Sequence, residues 1–289
     1  MPGTILITGA GGQVGHELSI ARSPCHLISL GRDQLDITEP EQISSAFAKH
    51  RPDIVINAAA YTQVDRAESE QELAFAINRD AVLHLARACH EHDVPLLHVS
   101  TDYVFAGDQQ GAYREDDDTA PLGVYGASKL AGEEALRAEL SRHIILRTSW
   151  VFSATGNNFV KTMLQLGRER SELGIVDDQY GCPTSARSIA EVLLEIAQGY
   201  LEGHPVEWGT YHFCGSPATT WYDFAEEIFA QAGGYEALKV NRIATADYPT
   251  PVARPMNSVL DCARLGACFG IQSVCWEHEL RMVLDQLST

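Results

Sequence analysis

A tyrosine and a lysine stand four residues apart in the stretch VYGASKLAGE, residues 124–133. On a helix, residues at positions i and i+4 are neighbours, so Tyr125 and Lys129 are expected to point the same way. A lysine ammonium about 4 Å from the phenol would favour the phenolate by roughly 4 kcal/mol at an effective dielectric constant of about 20. That energy would lower a tyrosine pKa from about 10 to about 7. The pair therefore predicts a general acid for the reduction of a carbonyl group.

The alternative interpretation of any YxxxK pattern is a lysine folded over a tyrosine ring on a helix surface. Here the predicted helix follows a strand that ends in STDYVF, residues 100–105. Ligands of doubly wound sheets bind at the carboxyl ends of the strands, which is where Thr101 would lie. We therefore expect Thr101 to polarise the substrate carbonyl and to form the catalytic set together with Tyr125 and Lys129.

A glycine-rich turn follows the first predicted strand. The stretch TGAGGQVG, residues 8–15, carries Gly9, Gly12 and Gly15 in the spacing GxxGxxG. A tight turn requires a residue that tolerates positive φ, and a pyrophosphate requires close approach of a backbone without Cβ atoms. The helix that follows begins near Gln13 and Val14 and offers its N–H groups and dipole to the anion. This arrangement favours dinucleotide binding over a merely structural turn.

The end of the second predicted strand bears on which dinucleotide is bound. An acidic residue at this point holds the ribose 2′-hydroxyl of NAD, whereas an arginine suits the 2′-phosphate of NADP. The stretch SLGRDQLD, residues 29–36, places Arg32 there. Arg32 favours NADPH without excluding NADH. Asp36 and Ile37 are expected near the adenine ring.

Short apolar runs alternate with stretches of helical spacing over the first half of the chain. The predicted strands are 4–8, 26–30, 53–59, 95–100 and 143–149, and the helical stretches are 13–22, 40–50, 66–92 and 124–141. This alternation predicts an α/β fold with a doubly wound parallel sheet, a dinucleotide-binding Rossmann domain, over residues 1–150. Residues 151–289 are expected to form mainly a smaller α/β substrate-binding domain, with some segments returning to the first. Thr38 is the expected N-cap of the helix at 40–50.

Composition excludes several function classes. The 289 residues include 39 acidic and 21 basic side chains, and the resulting net charge of −18 would repel nucleic acid. The seven cysteines contain no CxxC pair, which is typical of buried thiols in a reducing compartment. No targeting segment and no membrane-spanning apolar run is evident. We expect a cytoplasmic protein that binds neither nucleic acid nor membrane.

Together these motifs resemble the extended short-chain dehydrogenase/reductase family, in particular its nucleotide-sugar reductases, over nearly the whole chain. The matching stretches are NAAAYTQVDRAE (57–68), STDYVFAG (100–107), VYGASKLAGE (124–133), RTSWVF (147–152), GNNFVKTM (156–163), DDQYGCPT (177–184) and YPTPVARPMNSVLD (248–261). The resemblance implies hydride transfer from NADPH or NADH to C4 of dTDP-4-dehydro-L-rhamnose, giving dTDP-L-rhamnose. Tyr125 would supply the proton.

The resemblance also implies binding residues. The cofactor would contact Asn57, Ala58 and Ala59, and the deoxysugar would face Thr62, Val64, Asp102, Tyr103 and Trp150. Arg254 and Asn257 would fix the nucleotide portion, since a guanidinium fork suits a diphosphate. The alternatives are an interdomain packing role for Trp150 and a surface ion pair for Arg254.

One position departs from the family. Some members bind Mg²⁺ through glutamates from distant segments and dimerise around the ion. Glu17 and Glu277 stand at two matching positions, but Arg187 stands where the third glutamate would be. A guanidinium cannot ligate a metal, so we expect Arg187 to bridge the two carboxylates and the protein to need no Mg²⁺. Both a monomer and a homodimer remain open.

Two other functions fit parts of the pattern. An epimerase or dehydratase of the same family would use the same tyrosine and lysine with tightly bound NAD. A non-catalytic NADP-binding subunit, like the regulatory subunit of methionine adenosyltransferase, would act as a partner protein. The stretches STDYVF and YPTPVARP favour the reductase over the first, and the complete set Thr101, Tyr125 and Lys129 favours catalysis over the second.

Overall fold

The computed structural model describes residues 3–288, in which β-strands and helices alternate along the first half of the chain. In chain order this half comprises β1 (Thr4–Thr8), α1 (Gln13–Ile20), β2 (His26–Leu30), α2 (Pro40–His50), β3 (Ile54–Asn57), α3 (Val64–Ala67), α4 (Gln71–Phe75), α5 (Ala81–Glu91), β4 (Leu96–Thr101), α6 (Val124–Glu139) and β5 (His143–Thr148). The second half comprises β6 (Val151–Phe152), α7 (Phe159–Glu169), β7 (Glu172–Val176), β8 (Tyr180–Gly181), β9 (Thr184–Ser185), α8 (Ala186–Leu201), β10 (Gly209–His212), β11 (Thr219–Thr220), α9 (Trp221–Ala232), β12 (Lys239–Ile243), α10 (Ala263–Phe269) and α11 (Trp276–Leu287).

A six-stranded sheet in the order β10-β5-β4-β3-β1-β2 forms the main layer, and all of its strand pairs are parallel. Ile5 and Ile7 of β1 pack in a core with α1 and α8, whereas Leu6 packs on the opposite face with α2, α5 and α6. Because both faces are covered, the strands are continuous apolar runs without alternation. The predicted α/β class with a parallel sheet is confirmed.

The stretch of helical spacing predicted at 66–92 is largely helical but is not one continuous α-helix. It is divided into α3, α4, a π-helical turn at Ala76–Asp80, and α5. The wide turn directs the buried Asn78 amide inward, where it bonds the main chain of Tyr61 and the hydroxyl of Ser128 in α6. These bonds join the π-helical turn to α6, and π turns of this kind often lie at functional sites.

The predicted N-cap of α2 is also wrong. Glu39 occupies the N-cap position without a side-chain capping bond. The hydroxyl of Thr38 donates instead to Asp36 Oδ1 at 2.7 Å. Pro40 begins the helix as expected, since its missing N–H costs nothing in the first turn.

The second half builds a separate core from α7, α9, α11 and the β7–β12 pair. Thr220 caps α9, its hydroxyl accepting from the N–H of Asp223 at 3.1 Å. Although they follow residue 150, α8 packs against α1, and β10 extends the main sheet beside β5. The domain division at residue 150 stays a prediction. Within residues 3–288, no helix combines the length and the apolar character needed to cross a membrane.

Candidate active site

A cavity of about 570 Å³ lies at the carboxyl edge of the main sheet, where the turns after β1, β3, β4 and β5 meet. Most of the predicted site residues line it: Gly9, Gly12, Gln13, Val14, Arg32, Asp36, Ile37, Ala58, Ala59, Thr62, Val64, Thr101, Asp102, Tyr103, Tyr125, Lys129 and Trp150. The structure therefore brings residues assigned to cofactor, catalysis and substrate around one space.

Four predicted residues do not line this cavity. Gly15 lies beneath the turn, where an added Cβ would be 2.0 Å from the carbonyl oxygen of Gly9. Asn57 is fully buried and bonds Thr8 and His98. The remaining two make protein contacts elsewhere: the Arg254 guanidinium pairs with Asp65 at 2.7 Å, and the Asn257 amide donates to the carbonyls of Gln109 and Gly111.

The glycine turn has the shape that a dinucleotide pyrophosphate requires. Gly9 has a φ of +75°, and a Cβ there would lie 2.5 Å from the main chain of Ala59. An added Cβ at Gly11 would meet nothing within 4 Å, so the backbone is open to close approach on that side. The N-cap of α1, Gly12, makes no side-chain capping bond. The first-turn N–H groups can therefore bind a phosphate, and the residues fit the cofactor.

Arg32 and Asp36 stand side by side in the cavity wall at the end of β2. Arg32 Nε lies 3.1 Å from Asp36 Oδ2, and the arginine side chain is 74% exposed. Burial alone would raise the pKa of Asp36, but bonds from Thr38 and from Arg32 outweigh it and lower that pKa. The exposed guanidinium can therefore turn to a phosphate while Asp36 stays ionised.

The close packing of α6 on the end of β4 brings Tyr125 to Thr101. The Glu68 carboxylate accepts from the first N–H of α6, at Val124, at 2.7 Å. Gly126 allows the helix to touch the turn after β4, because a Cβ there would lie 2.2 Å from the carbonyl oxygen of Tyr103. These contacts fix the helix end that carries Tyr125.

Burial raises the pKa of Tyr125 to about 12; a hydrogen bond with Thr101 lowers it in part, and the charge of Asp102 raises it. Lys129 Nζ instead donates to the carbonyl of Val99 at 2.7 Å. The expectation that Lys129 lowers the pKa of Tyr125 is therefore wrong for this structure. The reason is that the lysine is directed to the main chain of β4 and desolvation of the phenol dominates.

Thr101 caps the short turn that follows β4. Its hydroxyl accepts from the N–H of Tyr103 at 3.2 Å and donates to Asp102 Oδ1 at 2.9 Å. Burial raises the pKa of Asp102 to about 6, although bonds from Ser258 and Thr101 oppose the rise. A carbonyl oxygen in the cavity would compete with Asp102 for the hydroxyl hydrogen of Thr101.

Sequence reasoning missed Glu133, which follows Lys129 by one further turn on the same face of α6. Its carboxylate is fully buried, pairs with Arg147 at 2.7 Å and accepts from the Ser100 hydroxyl at 2.5 Å. Ser100 itself lines the cavity. The spacing i, i+4, i+8 in VYGASKLAGE was the available signal.

Trp150 is part of the cavity wall and also packs on a second tryptophan. It lines the cavity, and its ring stacks on Trp221 with centroids 3.5 Å apart and planes 7° from parallel. Its φ of +47° is unusual for a residue with a large side chain. A Cβ at Gly181 would lie 2.3 Å from the indole, so the glycine leaves room for the ring.

The expectation that Arg187 bridges Glu17 and Glu277 is wrong. Its Nε donates to Glu191 Oε1 at 2.8 Å, one helical turn along α8. Burial raises the pKa of Glu17, and the charge of Arg187 lowers it in part. Glu277 accepts instead from the thiol of Cys275. Among residues 3–288 no cluster of three or more His, Cys, Asp or Glu could hold a metal ion; whether the protein needs Mg²⁺ stays a prediction.

The chain matches the family model described as RmlD substrate binding domain over residues 3–289. It belongs to this family. The dTDP-4-dehydrorhamnose reductase of Aggregatibacter actinomycetemcomitans is 46% identical over 286 residues, which cover 96% of this chain and 97% of that protein.

Solved structures of RmlD relatives share the fold over their full length. That of the dTDP-4-dehydrorhamnose reductase of Clostridium acetobutylicum superposes with a TM-score of 0.92 at 36% identity, covering 99% of this chain and 100% of the other. The Bacillus anthracis enzyme in complex with NADP gives 0.89 at 35% identity, with 99% and 100% covered. The family resemblance read from the sequence is confirmed.

Proposed function

We propose that this RmlD-family chain is an NADPH-dependent reductase of dTDP-4-dehydro-L-rhamnose that produces dTDP-L-rhamnose. The observation that carries the proposal is that the glycine turn, Arg32, Thr101, Tyr125 and Lys129 line the same cavity. The full-length similarity to dTDP-4-dehydrorhamnose reductases, one of them bound to NADP, supports the same substrate and cofactor.

One side of the cavity binds the cofactor and the other side binds the sugar. A dinucleotide bound here would supply the hydride. The first turn of α1 and the Gly9–Gly12 turn bind its pyrophosphate, and Arg32 binds the 2′-phosphate that distinguishes NADPH from NADH. On the other side, Trp150 and Tyr103 cover the deoxysugar and exclude water from the reacting carbon.

Tyr125 provides the proton that a reduced carbonyl oxygen requires. With its pKa raised by burial to about 12, the phenol is protonated at neutral pH and holds the proton that the reaction consumes. Thr101 orients the carbonyl oxygen through its hydroxyl hydrogen, while Lys129 holds the nicotinamide ribose. General acid catalysis of this kind contributes roughly 10²–10⁴-fold, and orientation of the two reactants supplies much of the remainder.

The test follows the loss of reduced-nicotinamide absorbance when purified protein, NADPH and freshly generated dTDP-4-dehydro-L-rhamnose are mixed, with dTDP-L-rhamnose identified as the product. A matched reaction with a nucleotide sugar that lacks a C4 carbonyl should consume no NADPH. Product formed without net consumption of NADPH, by protein that retains NAD through dialysis, would instead indicate an epimerase or dehydratase.

A further inference from the structure

A buried histidine lies directly behind Lys129. His98 on β4 is fully buried, and each of its ring nitrogens is near another nitrogen: Nδ1 lies 3.0 Å from Asn57 Nδ2, and Nε2 lies 3.2 Å from Lys129 Nζ. Burial, the largest cause, holds the pKa of His98 well below its usual range. The ring is therefore neutral at physiological pH and carries a single N–H.

The Asn57 amide decides which ring nitrogen bears that hydrogen. Asn57 Oδ1 accepts from the Thr8 hydroxyl at 2.7 Å and from the N–H of Ala59 at 3.0 Å. Since a main-chain N–H must be matched by an oxygen, the amide orientation is fixed and Nδ2 donates to His98. Nδ1 of His98 is then the acceptor, and its only hydrogen lies on Nε2, pointing at Lys129.

A lysine ammonium has three N–H donors and no acceptor. If Lys129 were charged, one of its hydrogens would point at the hydrogen on Nε2 of His98, and the two groups would repel each other. A neutral amine can accept from Nε2–H and still donate to the Val99 carbonyl. We propose that His98 is a positioning residue that holds Lys129 as a neutral amine in the free enzyme, and that Lys129 takes up a proton from solvent when the cofactor binds. This inference rests on the proposed cofactor-binding role of Lys129.

The surroundings of Lys129 agree with this assignment. Burial lowers the pKa of Lys129 to about 8, although the charge of Glu133 opposes that change, so the neutral amine predominates above that pH. Glu133 is already paired with Arg147 and Arg137, so its charge is largely compensated. Tyr125, the third ionisable group on this face of α6, is neutral because its pKa is raised. The charge of His143 would lower the pKa of His98 further, which also keeps the His98 ring uncharged.

The consequence is that the charge of Lys129 appears together with the anionic cofactor. A lone ammonium buried without a counter-ion would be costly, and the neutral amine avoids that cost in the free enzyme.

The first experiment needs neither substrate nor turnover. The wild-type protein is labelled with ¹⁵N-histidine, and two-bond ¹H–¹⁵N correlations report the tautomer of each ring. The His98 signals are assigned by their loss in His98→Gln. We expect the Nε2–H tautomer for His98; an Nδ1–H tautomer or a doubly protonated ring would overturn the proposal.

The second experiment measures proton uptake on NADPH binding by calorimetry in two buffers of different ionisation enthalpy. At about pH 9, one unit above the pKa of Lys129, wild type should take up about one proton per NADPH bound. In Asn57→Asp, the carboxylate at position 57 would accept a hydrogen bond from Nδ1–H of His98. The Nε2 atom of His98 would then have no hydrogen and could accept from Lys129. The Lys129 ammonium would persist in the free enzyme, and proton uptake per NADPH should fall to less than about half of the wild-type value.

His143→Gln is the matched control, because it removes another largely buried histidine that does not contact Lys129; its uptake should equal that of wild type. NADPH binding by wild type without proton uptake would overturn the proposal even if the tautomer is as expected. Failure of the reductase assay would leave both measurements interpretable, since neither depends on turnover.

Discussion

The buried carboxylate of Glu133, on the same helix as Tyr125 and Lys129, should be essential for stability. Glu133 is fully buried and Arg147 is 2% exposed, and three bonds join them: Nη2 to Oε2 at 2.7 Å, and Nε to the two oxygens at 3.0 and 3.3 Å. Removing one partner of such a pair leaves a buried charge uncompensated, which costs about 3–5 kcal/mol. Glu133→Gln should therefore lower the free energy of unfolding by about 3 kcal/mol at pH 7.

The pH dependence of this effect has a definite sign. Burial alone would raise the pKa of Glu133, but its bonds with Arg147 and Ser100 outweigh burial and lower that pKa. A carboxylate whose folded-state pKa is lowered contributes stability that is present above its unfolded pKa of about 4.3 and lost as pH falls below it. The stability difference between wild type and Glu133→Gln should therefore shrink as the pH falls below about 4.

The assay is urea unfolding followed by far-UV circular dichroism, with Glu172→Gln as control. Glu172 pairs with Lys239 at 2.7 Å on the surface, where both side chains are more than half exposed, so its loss should cost less than about 1 kcal/mol. The double variant Glu133→Gln with Arg147→Met should be less destabilised than the sum of the two single variants, because it leaves no buried charge alone. A loss below about 1 kcal/mol for Glu133→Gln, or strict additivity, would refute this reasoning.

Three further outcomes are expected. Arg32→Ala should weaken NADPH binding about tenfold or more while leaving NADH binding nearly unchanged, measured by fluorescence titration, since a charge-assisted bond is worth about 1.5–3 kcal/mol; equal losses for both cofactors would contradict the assignment. Gly181→Ala should raise the KM of the nucleotide sugar more than that of NADPH. The added Cβ would lie 2.3 Å from the Trp150 indole and would force the ring to move. The control Gly199→Ala, inside α8, should leave both KM values unaltered. Burial raises the pKa of Asp102 to about 6, above its unfolded value of about 3.9, so the fold loses stability as the pH rises from the lower to the higher of these values. Asp102→Asn should therefore be more stable than wild type at pH 8 by roughly 2–3 kcal/mol; a thermal-unfolding difference equal at about pH 4 and pH 8 would contradict this.

Much of the main sheet is readable from the sequence because most of its strands are covered on both faces. The runs at 4–8, 26–30 and 53–59 are mostly apolar, and β1, β2 and β3 lie within them, although β2 at the sheet edge is only partly buried. By contrast β6, β8, β9 and β11 have two residues each and exist only through distant partners, as where Phe152 pairs with Ser185. Periodicity carries no signal for such pairs, nor for the π-helical turn that Asn78 stabilises.

The candidate site shows the same division between local and distant causes. Helix geometry alone places Tyr125, Lys129 and Glu133 on one face, which the spacing of these residues predicts. The direction of the Lys129 side chain depends on His98 and on the Val99 carbonyl of β4, about thirty residues earlier in the chain. Sequence spacing therefore identifies the pair but cannot assign the charge state of either member.

The central claim is that Tyr125 donates the proton in NADPH-dependent reduction of dTDP-4-dehydro-L-rhamnose. The most direct measurement compares the steady-state rate of wild type with that of Tyr125→Phe, after NADPH binding by both proteins has been verified by fluorescence titration. We predict that Tyr125→Phe binds NADPH with affinity close to that of wild type and loses at least about 10²-fold in kcat. A folded, NADPH-binding Tyr125→Phe that reduces the sugar at the wild-type rate would contradict the account.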